Sequence, residues 1–170
     1  MSNIEQSFVG STDTLYRLNA GEQLFVWGFR SMAHHYKFGR PTTEELRQVY
    51  RHFGVGDAIC SLDAMLEAFV RTAHTPIEIR APACPCVSTC ERFLLRCVSA
   101  AQSADLEIAR HQFERWLPPP AADWVMAPTC GLGELFRAAG LILPMRNDAP
   151  APLLDTMATR TWPVESRTLH

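Results

Sequence analysis

Four of the chain's six cysteines lie between residues 84 and 97, in a stretch that runs Cys84-Pro85-Cys86-Val87-Ser88-Thr89-Cys90 and ends at Cys97. Thiolates ligate soft and borderline metals and carry redox chemistry, so this is where reactive groups are most concentrated. Pro82 and Pro85 fix their own φ and push Ala81 and Cys84 toward extended backbone. Alternate side chains of an extended segment share a face, so Cys84 and Cys86 are expected to point the same way. Ser88-Thr89-Cys90-Glu91 has the S-x-x-E form of a capping box, which places Cys90 in the first turn of a helix. Free N–H groups and the positive end of the helix dipole favour a thiolate there. The expectation is that Cys84, Cys86 and Cys90 converge at this helix start.

Cys97 is set apart from them. It lies two helical turns beyond Cys90, roughly 10 Å along the axis. Two thiolates on one zinc, each about 2.3 Å from the metal, cannot be that far apart. Cys97 also shares a stripe with Phe93, Leu94, Val98 and Ala101, and reads as a small core residue.

Three thiolates need a fourth ligand for a tetrahedral site of the Cys₃His or Cys₄ kind. His74, ten residues before Cys84, is the first choice, ahead of His35, His111 and Cys130. The expected metal site is therefore Cys84, Cys86, Cys90 and His74, with zinc preferred over an iron–sulfur cluster. The C-x-C-x₃-C spacing is not the C-x₂-C knuckle, which leaves two other readings open. One is a redox-responsive thiol cluster. The other is a helical adaptor in which the cysteines are incidental. His34 and His35 are adjacent on a helix and point about 100° apart, so they cannot face one ion together.

The remaining candidates lead to no catalysis. Gly131-Leu132-Gly133 lacks the third glycine and the preceding strand of a dinucleotide loop. There is no nucleophile elbow, no phosphate-binding loop of the Walker type and no H-E-x-x-H. Asp57, Asp63 and Glu67 are spaced as on a solvated helix face. The expectation is a non-enzymatic binding or regulatory module with a protein partner. Trp27 and Trp116 read as core, while Trp124 and Trp162 sit beside prolines where contact with a partner is open.

Composition supports a folded chain: 170 residues, 47% hydrophobic and 20% charged, with a formal net charge of −2. That is enough for one domain with a substantial core. The charge balance and the lack of a long basic stripe argue against nucleic acid. No apolar run is long enough to span a membrane. The N-terminus lacks the pattern of a signal peptide, and a cytoplasmic location is the expectation.

Apolar residues at helical spacing predict an all-α fold, a single bundle of about five to seven short helices. Helices are expected from Asn19 to about Phe38, from Thr42 to Gly54, from Asp57 to His74, from Ser88 to about Ser103, and from Asp105 to about Leu117. Pro118-Pro119-Pro120 is expected to stop the chain as a stiff spacer. A short helix is expected over 121–127, then an interruption at Pro128 and a last helix closed by Gly140. Ile77-Glu78-Ile79-Arg80 alternates like a strand but is too short for a sheet, and is expected as an extended connector. The domain organisation expected is a loose arm over 1–18, a helical domain over 19–144 and a poorly ordered tail over 145–170.

Overall fold

The computed structural model describes residues 14–146. It is all-helical, with α1 Ala20–Lys37, α2 Glu44–His52, α3 Ala58–Thr72, α4 Thr89–Gln102, α5 Leu106–Phe113 and α6 Pro119–Ala138. A 3-10 turn at Leu15–Arg17 precedes α1. No strand forms among the described residues, and Thr14 makes an isolated antiparallel bridge with Cys86.

Local chemistry sets the helix ends. Asn19 and Ser88 each close a capping box, accepting from the backbone N–H of Glu22 and Glu91 while those carboxylates accept from the cap residues' own N–H. Thr43 and Asp105 cap α2 and α5 by accepting from Leu46 and Ile108. Each such cap satisfies an N–H that the helix leaves orphaned, worth about 1 kcal/mol. Gly54, at φ 74°, takes the left-handed conformation that ends α2 and turns the chain into α3.

The bundle is built around α6, which packs most extensively on α3 and α4. An aromatic chain runs through the core from α1 to α4. Phe29 meets Phe69 edge-on at 6.5 Å, Phe69 meets Trp116 at 6.2 Å, and Trp116 meets Phe93 at 5.3 Å. Edge-to-face pairs of this kind add about 0.5–1.5 kcal/mol each beyond their burial. Cys97 is fully buried in this core, as its stripe position implied. The segment after α6 folds back onto α4: Ser99 donates to the Leu143 carbonyl at 2.8 Å and the Leu143 N–H donates to Gln102 at 2.8 Å.

The structure departs from the sequence-based expectations in several places. The three prolines begin a helix instead of forming a spacer. Pro118 is the extended residue before the helix, and Pro119 opens α6, where an N–H would have no partner in any case. The helix then runs through Pro128 without a break. The bond lost there would have gone to the carbonyl of Trp124, a half-exposed residue on the solvent side. α5 ends at Phe113, short of the expected Leu117. Residues 14–18 of the expected arm pack on the cysteine loop: the Leu15 N–H donates to the Pro85 carbonyl at 2.8 Å and Leu18 is buried. Residues 1–13, and the expected tail beyond 146 with Trp162, lie outside the described residues.

Gly28 lets α1 approach Tyr50, whose fully buried hydroxyl donates to the Leu24 carbonyl at 3.0 Å. A Cβ at position 28 would overlap that ring, with Tyr50 Cζ only 2.7 Å away. Gly28→Ala is expected to destabilise the fold by about 1–3 kcal/mol through overpacking. A lower denaturant midpoint at unchanged slope is the expected measurement, and a neutral result would show that Tyr50 can move aside.

Candidate functional site

The cysteine loop is organised by an arginine. Arg30, in the middle of α1, has no exposed side-chain surface, and its guanidinium faces the loop and the start of α4. Nε donates to Glu91 Oε1 at 2.6 Å and Nη2 to Glu91 Oε2 at 2.7 Å. Nη2 also donates to the Cys86 carbonyl at 2.6 Å, and Nη1 to the carbonyls of Cys84 at 2.6 Å and Ala81 at 3.5 Å. Every N–H of the guanidinium therefore has an acceptor. Glu91 is equally engaged: Oε1 also accepts from the Arg80 N–H at 2.9 Å and Oε2 from the Ser88 N–H at 2.8 Å. A buried ion pair is tolerated when its partners satisfy the remaining donors and acceptors, and that condition is met here.

Cys90 does sit in the first turn of α4, where its surroundings oppose the thiolate. Burial pushes its thiol above the ordinary value, and the nearby Glu78 and Glu91 carboxylates push the same way. The Glu78 N–H, which donates to Cys90 Sγ at 3.4 Å, opposes this only in part. Burial also raises Cys97 and Cys130. His74 is exposed at the end of α3, where its backbone N–H donates to the Trp116 carbonyl at 2.9 Å. Among the described residues no three His, Cys, Asp or Glu side chains gather in a way that holds a metal, and Cys84, Cys86, Cys90 and His74 are all described. The expected zinc site thus finds no matching donor set. Inside the loop, the carbonyls of Cys84 and Cys86 accept from the Arg30 guanidinium.

The clamp of Arg30 and Glu91 shapes a groove beside it. Between α1, α3 and the connector lies an apolar cavity of about 240 Å³. Phe29 and Ala33 line it from α1, Leu66, Phe69 and Val70 from α3, and Ile77 and Ile79 from the connector. His74, at its rim, is the lining's one titratable side chain. The connector forms this wall because Arg80 and Glu78 are tied to the start of α4: Glu91 holds the Arg80 N–H, and Ser88 Oγ donates to the Glu78 carbonyl at 2.6 Å.

Neither Arg30 nor the groove is among the sequence-based candidates. Arg30 did carry a signal, as the only charged residue in the apolar run Leu24-Phe25-Val26-Trp27-Gly28-Phe29-Arg30-Ser31-Met32-Ala33. A charge in such a run is either a break in the buried face or half of a buried pair. Compared with protein-family models, curated proteins and solved structures, the chain matches none.

Two outcomes test this arrangement. Arg30→Met leaves Glu91 buried without its counter-charge and is expected to cost about 3–5 kcal/mol. Adding Glu91→Gln to that variant removes the stranded charge while keeping an amide at the cap, so the double variant is expected to be the more stable of the two by chemical denaturation. A double variant less stable than the single would contradict the clamp. For the thiols, iodoacetamide is expected to modify Cys90 more slowly than free cysteine at neutral pH, with the rate rising only above the ordinary thiol range. Cys90 alkylated faster than free cysteine at pH 7 would favour the redox reading.

Proposed function

We propose that the chain is a non-enzymatic helical binding module that receives an apolar side chain of a partner protein in the groove between α1, α3 and the connector. The groove itself carries this reading. Its walls are mainly Phe, Leu, Ile, Val and Ala side chains, with His74, Thr75 and Pro76 completing the lining and no cysteine or carboxylate among them. A pocket of that composition contributes burial and shape, and His74 stands in it without a nucleophile or carboxylate to work with. Its volume of about 240 Å³ lies below the roughly 300–1,000 Å³ usual for sites that enclose a whole ligand. It exceeds the ~150 Å³ of an engineered cavity that takes up benzene. One aromatic or two aliphatic side chains match that space, and an anchor residue in a pocket is how protein interfaces concentrate their binding energy.

Indole, titrated against protein labelled at its methyl groups, serves as a stand-in for the anchor. Binding is expected to shift the signals of Leu66, Val70, Ile77 and Ile79. Val70→Phe, which fills the groove from a half-buried position, is expected to weaken binding at least tenfold. Shifts scattered over the surface, or indifference to Val70→Phe, would remove the basis for this reading.

A further inference from the structure

The groove's outer wall has an unused backbone edge. Along the connector, the N–H of Glu78 and Arg80 and the carbonyl of Glu78 all bond toward the start of α4, to Cys90 Sγ, Glu91 Oε1 and Ser88 Oγ. The side chains alternate as well. Ile77 and Ile79 face the groove, whereas Glu78 and Arg80 are exposed and pair with each other at 2.9 Å. Both alternations have period two, which is the geometry of a β-strand with one edge already occupied. On the other edge, the N–H and C=O groups of Ile77 and Ile79 make no hydrogen bond among the described residues. Both residues are half-exposed, so these groups are open to water and to any chain that displaces it.

We infer that the groove's occupant is an extended peptide segment of a partner protein, which adds as a strand to the free edge at Ile77 and Ile79. This rests on the binding reading above and names the form the partner takes. A lipid or a small aromatic would fill the apolar space but leave four backbone groups unmatched. A helix has no free backbone groups along its side to offer them. An extended chain supplies N–H and C=O groups at the matching repeat, about 4.8 Å away across the ladder. Its alternate side chains then fall on the same face as Ile77 and Ile79, over Phe29, Leu66 and Phe69. Main-chain bonds provide affinity and the pocket provides selection, the division of labour seen in strand-addition recognition. The recognised sequence is expected to alternate, with a bulky apolar residue at the groove and polar residues at the positions on either side of it.

The probe is a displayed library of random dodecapeptides selected on the full chain, with Val70→Phe as counter-selection. Enriched peptides are expected to share an apolar residue flanked at alternate positions. A synthetic copy of the best one is then N-methylated at one amide at a time. Methylation is expected to weaken binding at least tenfold at alternate amides and to leave the intervening ones within about twofold. Hydrogen exchange at Ile77 and Ile79 is expected to slow at least tenfold in the complex. Binding that ignores N-methylation while remaining sensitive to Val70→Phe would keep the groove and overturn strand addition. Enriched peptides that bind as helices, or no enrichment at all, would overturn it too. Concentration-dependent dimerisation that slows the same two amides without peptide would assign the edge to a second copy and sink the proposal.

Discussion

A guanidinium with no access to water must find an acceptor for each of its N–H groups, and the region around Arg30 is arranged to meet that demand. The cost of taking a charge out of water is several kcal/mol even after relaxation, and it is offset only when geometry is good and nothing is left unpaired. Glu91 neutralises the charge, and the carbonyls of Ala81, Cys84 and Cys86 take what the carboxylate does not. The consequence is geometric: α1, the loop and the first turn of α4 are fixed relative to one another by a single side chain. A hydrophobic replacement of the pair would stabilise comparably, yet it would not aim three loop carbonyls at one point.

The same device occurs twice. Glu22 closes the capping box of α1 and accepts from Arg146 at 2.7 and 2.8 Å, as Glu91 closes that of α4 and accepts from Arg30. In both, a carboxylate that a local rule would assign only to a helix end also holds a segment far away in sequence. Asn19 adds to the first of these by donating to the Ile142 carbonyl at 2.8 Å, so the start of α1 and the chain after α6 are tied by two residues of one box.

The difference between local and distant partners explains which features are legible in the sequence and which are hidden. Both capping boxes, the fold class, the burial of Cys97 and the two-residue alternation at Ile77–Arg80 depend on neighbours within a few positions, and all can be read directly. The start of α6 is ambiguous because proline has two roles, stopping a helix from within and suiting its first position. Which role applies at Pro119 depends on whether the residues after it can continue the helix. Arg30 stands out as a charge in an apolar run, but its partner is sixty-one residues away, and nothing in the spacing names Glu91. The setting of the thiols is hidden for a related reason. A helix start does favour a thiolate, but only where solvent or a cation reaches it, and the burial of Cys90 is not visible from its position alone.

That separation also bears on how the protein is made. At about 5–20 residues per second, a ribosome needs roughly 3–12 s to carry synthesis from Arg30 to Glu91. Over that interval Arg30 lacks the carboxylate that receives it in the fold, and α6, which closes the core, is not yet translated. α3, whose Phe69 meets Phe29, is made within that interval, but the loop and the α4 start that surround Arg30 come only at its end, a delay that a helix hairpin with adjacent partners would not impose.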